Sequence, residues 1–298
     1  MKKTILLFVF VLTAFNFCLA QEWFTSLKVA KKLALAQDKM LFVMWENAMS
    51  YPYPVLINTE KGESTITDLF DDERIDKLIW DYFIPVKIYE SKYAELSQQI
   101  KETRGTKYFN KFIDDSIKIM DVNGNILNIN TSYESIENLS LLIKLYALNT
   151  SFLKQELINY SKNKSLTTSF SLASKYLDFA IYAEKNLRLE IIQLANIYFE
   201  ESKSYLTNSG LKNKKAFLQN CDLLKIKEYL ILNKPRKALR HLKKINIAEI
   251  DNINKSLFSS LNYTGFKLLK NEENAALWKS KISLVDLRIA NFIINNNF

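Results

Sequence analysis

The stretch MLFVMWENAMSYPYP, residues 40–54, indicates how the first half of the chain folds. Its first part, Met40–Trp45, is apolar without interruption. Such a run is typical of a β-strand that is buried on both faces, as in a sheet covered by helices. The segment that follows is more polar and contains Pro52 and Pro54. It therefore predicts a loop at the carboxyl end of the strand.

Helical and extended patterns alternate around this strand, from Trp23 to about Asn149. The apolar spacing predicts helices at 25–37, 72–82, 93–100 and 131–146, a strand at 84–89, and a hairpin joining 116–120 to 125–129. The hairpin is expected to turn at Asp121-Val122-Asn123-Gly124, because Asn-Gly favours tight turns. Thr131 or Ser132 is expected to cap the last helix. This order predicts an α/β domain, a mixed sheet with helices on both faces.

Beyond residue 150 the apolar pattern is helical throughout. Helices are predicted around 170–180 and 187–198 and at 214–232, 235–244, 254–269 and 272–294. Antiparallel helix pairs of this length predict an all-α domain of helical hairpins, either a solenoid or a bundle. The expected division is therefore a leader at 1–20, an α/β domain at 21–149 and a helical domain at 150–298.

The amino terminus has the pattern of an export signal. Lys2 and Lys3 precede a mainly apolar run, and Cys18-Leu19-Ala20 supplies small residues where a signal peptidase cleaves. We expect cleavage after Ala20, a periplasmic or secreted protein, and no membrane span once the leader is removed. The alternative is an uncleaved N-terminal membrane anchor, although the apolar run is shorter than the roughly 20 residues that a spanning helix needs.

The composition offers few groups for catalysis. The chain has 2 cysteines, and only Cys221 remains after removal of the leader, so no internal disulfide or dithiol cycle is available. We expect Cys221 to be a buried, inert thiol. The single histidine, His241, and the isolated glycines supply no zinc ligand set, no Ser-His-Asp site and no phosphate-binding loop. We therefore predict no metal and no cofactor.

The formal net charge is +9, and the basic residues are scattered among acidic ones. We interpret them as solvated faces, including the dense run at 234–244, which fits the exposed side of a short helix. Because export separates a protein from nucleic acids, we expect no nucleic-acid partner. A weak attraction to anionic surfaces is the alternative.

Three segments of the first half resemble the thioredoxin superfamily, in particular its exported members. Trp23, followed by an Ala- and Lys-rich helix, is similar to the lead-in of the family. The segment LFVMWE at 41–46 resembles the central strand that runs into the redox loop, and SIKIMDVNGN at 116–125 resembles a later strand and its hairpin. The resemblance covers about residues 22–148 and implies a thioredoxin-like domain.

The chain departs from this family at the residues that carry its chemistry. Aligned on Tyr51, Met49 replaces the nucleophilic cysteine and Pro52 replaces the resolving cysteine. A thioether forms no thiolate and proline has no sulfur, so these degenerate redox-loop positions cannot exchange disulfides. Asp115 stands where the family has a cis-proline, and we expect a trans peptide there. The segment 55–65 fits the long active-site helix poorly, so we expect that helix to be short or displaced.

The second half is similar to tetratricopeptide helix pairs. The segment LILNKPRKAL at 230–239 resembles a helix, a short turn and a helix with a packing alanine. A second copy, LLKNEENA at 268–275, follows about 37 residues later, close to the period of such repeats. Generic helical packing is the alternative for this half.

These features predict a non-catalytic, exported thioredoxin-like protein that binds an unknown protein or peptide. The expected surface is the loop with Trp45, Tyr51, Tyr53, Pro54 and Asp115, because prolines stiffen an aromatic loop and lower the entropy lost on binding. A rigid turn with its rings packed on the domain is the alternative interpretation of this loop. Two further functions stay open: an envelope-associated helical-repeat scaffold, and an enzyme that uses Cys221 with an external thiol.

Overall fold

The computed structural model describes residues 22–58, 62–131, 134–206 and 209–297, which form a mixed α/β protein. Small mixed sheets lie in the first half, and the second half is helical. The predicted leader at 1–20 lies outside the described residues, and so does Ser132, one of the two predicted helix caps.

The first half alternates helices and strands, as the apolar spacing predicts. Its elements are α1 (Leu27–Gln37), β1 (Met40–Trp45), β2 (Pro54–Asn58), β3 (Ser64–Asp68), α2 (Glu73–Tyr82), β4 (Phe83–Ile88), α3 (Glu90–Thr103), α4 (Thr106–Ile113), β5 (Lys118–Met120), β6 (Glu137–Asn138) and α5 (Leu139–Tyr146). Side chains mark the helix starts: Ser26 accepts a hydrogen bond from the first turn of α1, and Asp72 accepts one from the first turn of α2.

The central strand is β1, between β4, which is parallel to it, and β5, which is antiparallel. Single bridges extend this sheet at both edges, from Phe24 to β4 and from Ile126 to β5. Every residue of β1 is buried, so both faces of the strand are covered, as its apolar run predicts. Phe42 packs against Trp23, while Trp45, which points to the opposite face, packs against α3 and α4.

A second sheet occupies the segment that fits an active-site helix poorly. Its order is β3-β2-β6, and β2 and β3 form an antiparallel hairpin. Between β1 and β2, where every residue is described, the helical structure is a 3-10 turn at Asn47–Ser50, which agrees with the expectation of a short helix. The hairpin itself was not predicted, although Val55, Ile57 and Thr65 are β-branched residues that favour strands.

The predicted hairpin around the Asp-x-x-Gly turn is only partly correct. Residues 118–120 form β5, but 125–129 contributes a single bridge at Ile126. The side chain of Asn128 explains the difference, because it replaces a backbone partner. Its Oδ1 accepts a hydrogen bond from the Ile119 amide (2.8 Å), and its Nδ2 donates to the Ile117 carbonyl (2.9 Å).

Two helices of the first half were also predicted incorrectly, since the start of one was misplaced and another was missed. The helix expected at 131–146 begins at Leu139, where Asn138 accepts the capping hydrogen bond from the Leu141 amide (2.9 Å). The predicted cap Thr131 instead donates from Oγ1 to the Asn128 carbonyl (2.9 Å). Helix α4 was missed because its buried face includes a lysine, Lys111, which breaks the apolar pattern.

The second half consists of helices, and its described residues contain no strand. They are α6 (Lys154–Lys162), α7 (Leu166–Tyr182), α8 (Arg188–Leu206), α9 (Lys214–Ile231), α10 (Pro235–Leu242), α11 (Lys255–Leu268), α12 (Glu272–Lys279) and α13 (Leu284–Asn295). The helix expected at 272–294 is divided, because Ser283 caps α13 by accepting a hydrogen bond from the Asp286 amide (3.2 Å). None of the helices described is long and apolar enough to cross a membrane.

The two halves share one continuous buried core. At their contact lies Asp121, whose carboxylate is fully buried. It accepts hydrogen bonds from the amides of Asn123 and Asn125 (both 2.9 Å) and from the hydroxyls of Tyr176 (3.3 Å) and Tyr198 in the helical half. Burial raises the pKa of the Asp121 carboxyl, while the hydrogen bonds lower it. The predicted domain boundary near residue 149 stays a prediction.

Asp121→Ala is expected to lower the free energy of unfolding by about 3 kcal/mol, because buried amides and tyrosine hydroxyls lose their acceptor. Urea unfolding followed by circular dichroism measures the change. Asp115→Ala is the control, since Asp115 is exposed, and its effect is expected within about 0.5 kcal/mol. Equal destabilisation by the two substitutions would contradict a central role for Asp121.

Candidate functional site

The loop that contains Met49 and Pro52 begins directly after β1. The Glu46 amide donates to the Ile88 carbonyl (3.0 Å), and the Met49 amide donates to the Glu46 carbonyl (3.1 Å). Met49 is partly buried and packs against the core, whereas Pro52 is exposed. Met49 therefore lies against the core, and Pro52, which faces solvent, has no nucleophilic side-chain atom.

The loop exposes one tyrosine and buries the other. Tyr51 is 75% exposed, and Tyr53, two residues later, is 6% exposed. The Tyr53 amide donates to Asp68 Oδ2 (2.7 Å), and its carbonyl accepts from the Leu69 amide (3.0 Å). Pro54 is half-buried and begins β2. Tyr51 is therefore presented to solvent from a segment that is hydrogen-bonded to the second sheet.

Trp45 lies beneath the loop and is buried rather than exposed. Its Nε1 donates to the carbonyls of Phe112 (3.0 Å) and Asp114 (3.1 Å). Its ring meets those of Tyr93 and Phe112 edge-on, both at 4.7 Å between centroids. Trp45 and Tyr53 thus support the predicted surface from within, whereas Tyr51 and Asp115 stand in solvent.

A buried charge cluster packs against the Trp45 ring. Lys118 is fully buried, with its Nζ 4.8 Å from the centre of that ring and 3.1 Å from Asp114 Oδ1, and it also donates to the Asp114 carbonyl. Lys111 is buried on the other side of Asp114 and donates to Ser116 Oγ (2.6 Å). Burial lowers the pKa of Lys118 to about 8 and also lowers that of Lys111, although Asp114 acts against both shifts.

The sequence interpretation was wrong for these two lysines, which it placed on solvated faces. The two lysines can be buried because Asp114 pairs with both ammonium groups. The Ser116 hydroxyl and backbone carbonyl oxygens accept further hydrogen bonds from them. A signal was present in the sequence, because Lys111 and Lys118 lie three residues before and four residues after Asp114. The peptide bond at Asp115 is trans, since no described residue has a cis peptide.

Neither a known protein family, nor a curated protein, nor a solved structure matches this chain significantly. Membership of the thioredoxin superfamily therefore stays a prediction, based on the segments around Trp23, Trp45 and Asp121. Among the described residues, no group of three or more His, Cys, Asp or Glu side chains could hold a metal ion.

Lys118 is expected to make stability depend on pH. Its pKa is about 8 when folded and has an ordinary value of 10.5, so the folded state binds fewer protons between these values. The contribution of Lys118 to the free energy of unfolding is therefore complete above its ordinary pKa of 10.5, and it is lost as the pH falls through its folded-state pKa of about 8. From pH ~7.5 to ~9.5, the free energy of unfolding should rise by about 2 kcal/mol more in the wild type than in Lys118→Met.

Urea unfolding at the two pH values measures this difference, and the subtraction removes titrations that both proteins share. The Lys101→Met variant is the matched control, because Lys101 is exposed on α3. Its pH dependence should equal that of the wild type. The same pH dependence in Lys118→Met and the wild type would show that the Lys118 amine is not desolvated.

Cys221 is expected to react slowly with alkylating reagents. The thiol is buried, as predicted, and burial raises its pKa from 9.0 to about 11. At pH ~8 the thiolate population should therefore be about a hundredfold smaller than in the unfolded chain. Mass spectrometry of a Cys18→Ser chain treated with iodoacetamide, with and without urea, compares the rates. Equal rates in the two conditions would mean that the thiol is accessible.

Proposed function

We propose that this chain is an exported, redox-inactive protein with a thioredoxin-like domain that binds another protein or a peptide. The observation that carries the proposal is a loop at the end of the central strand with Met49 and Pro52 in place of a cysteine pair. Neither side chain forms a thiolate, so disulfide exchange is lost. Recognition is the role that such a frame retains.

The strand order supports the thioredoxin-like part of the proposal. Phe24, β4 and β1 run parallel to one another, and β5 runs antiparallel to β1. Ile126 follows at the far edge, antiparallel to β5. The loop with Met49 leaves β1 at its carboxyl end, which is where the resemblance places the redox loop. The helices α1 and α2 pack on β4, as expected for a covered sheet.

The loop geometry supports the binding part of the proposal. Tyr51 is the exposed aromatic residue, and its flanks are held by backbone hydrogen bonds at Met49 and Tyr53. A tyrosine in a restrained loop loses little conformational entropy on binding and buries a large area. Asp115 stands in solvent near Tyr93 and Lys118, since its charge acts on both groups.

A scaffold in the cell envelope is the second candidate function, and the contact at Asp121 favours it. The hydroxyls of Tyr176 and Tyr198 bind this carboxylate, so the helical half is attached to the sheet by buried hydrogen bonds. A fixed arrangement of two halves suits a protein that orients other components. The third candidate, a single-thiol enzyme, is disfavoured by the burial of Cys221.

Peptides selected by phage display on the folded chain test the proposed function. We expect their affinity, measured by isothermal titration calorimetry, to fall about tenfold or more in Tyr51→Ala, because a central aromatic contact is lost. Tyr82→Ala is the matched control, since Tyr82 is 45% exposed at the end of α2. The wild-type chain, added to insulin and dithiothreitol, is expected to leave the rate of insulin reduction unchanged.

Three results would contradict the proposal. The first is the failure to select any peptide, and the second is equal weakening by Tyr51→Ala and Tyr82→Ala. The third is faster insulin reduction in the presence of the chain, which would mean that a thiol takes part in exchange. Repeating that assay with Cys221→Ser would then show whether Cys221 is responsible.

A further inference from the structure

The helical half contains a wide groove between α9 and the end of α10. Its volume is about 710 Å³. Apolar atoms of Leu218, Ile226 and Ile245 line it, and three lysines, Lys215, Lys225 and Lys244, stand around them. Leu218 is 43% exposed and lies with the other apolar residues in the lining of the groove. The groove therefore combines an uncovered apolar surface with a cationic border.

The border has an excess of positive charge. Asp222 is the one carboxylate among the residues that line the groove. Lys225 is engaged, because its Nζ donates to Asn196 Oδ1 (2.8 Å) and lies 3.4 Å from Glu228 Oε1. Lys215 and Lys244, by contrast, are exposed, and their side-chain ammonium groups have no hydrogen bond or ion pair within the described part of the chain. Two ammonium groups of the groove lining are thus free to bind anions beside the apolar surface.

We propose that this groove binds an acidic peptide segment that also carries an apolar side chain. The apolar side chain packs on Leu218, Ile226 and Ile245, and neighbouring carboxylates pair with Lys215 and Lys244. The charges of the groove and of the peptide complement each other, and the volume is in the range that holds a short peptide segment. This groove is separate from the loop around Tyr51, and the proposal goes beyond the function proposed for that loop.

The aromatic residue of the groove argues against a nucleic acid as the occupant. Single-stranded nucleic acids bind by stacking their bases on open aromatic faces. The Tyr229 ring is already stacked with His241, at 5.3 Å between centroids, and Lys237 lies 4.2 Å from its centre. It therefore offers no open platform. A membrane surface also fits poorly, because the apolar atoms line a concavity and do not project.

Binding of a fluorescein-labelled peptide, EELEELEEL, tests the proposal by fluorescence anisotropy. We expect saturable binding to the full chain, weakened about tenfold or more in the double variant Lys215→Glu/Lys244→Glu. The matched control is Lys162→Glu/Lys279→Glu, which changes the net charge equally at exposed positions of α6 and α12. This control should stay within about twofold of the wild type. Circular dichroism checks that every variant is folded, and Lys215→Gln/Lys244→Gln serves if charge reversal unfolds the chain.

A second peptide, EESEESEES, isolates the apolar contribution and should bind more weakly than the leucine peptide. Tyr51→Ala should leave the binding of EELEELEEL unchanged, so failure of this proposal is distinguishable from failure of the proposed function. Absence of saturable binding would overturn the inference, and so would equal weakening by the two charge-reversed pairs. Equal binding of the serine peptide, or tighter binding of oligothymidylate or phosphatidylserine vesicles through Lys215 and Lys244, would also overturn it.

Discussion

The arrangement of this molecule depends on the burial of one carboxylate, that of Asp121. A buried carboxylate is unfavourable unless hydrogen-bond donors surround it, and here the donors come from both halves of the chain. The amides of Asn123 and Asn125 shape the turn, and the hydroxyls of Tyr176 and Tyr198 attach the helices. One polar group thereby determines the turn after β5 and the contact between the sheet and the helical half.

The candidate loop depends on a second carboxylate, that of Asp114, which is partly exposed but pairs with buried lysines. The Asp114 carboxylate pairs with Lys118, which lies against the Trp45 ring. The Asp114 carbonyl accepts a hydrogen bond from the Trp45 indole, and this contact anchors the end of β1. Trp45 and Tyr53 are consequently buried, and the solvent-facing part of the loop is reduced to Tyr51 and its neighbours. A loop supported in this way presents the Tyr51 side chain in a restrained conformation, which is what the proposed binding function requires.

Much of the fold was predictable because apolar periodicity reports burial directly. The uninterrupted run of β1 and the stripes of the long helices depend on nearest neighbours in the chain, and both were assigned correctly. The errors fell where side chains replace backbone partners or where charges are buried. The Asn128 side chain makes a hydrogen bond that a paired strand would make. Asn138 caps a helix later than predicted, and Lys111 interrupts the apolar pattern of α4. None of these effects has a periodic signature.

The sequence by itself determined most helical and extended segments, the uninterrupted central strand, and the absence of thiols at Met49 and Pro52, because these depend on residue type and spacing alone. Only the tertiary structure decided which loop residues reach solvent, which lysines are buried, and where the free lysines border an apolar groove. The physical reason is that burial and pairing of polar groups depend on partners far away in the chain. Asp121 and Tyr198, 77 positions apart, become partners only when the halves pack together.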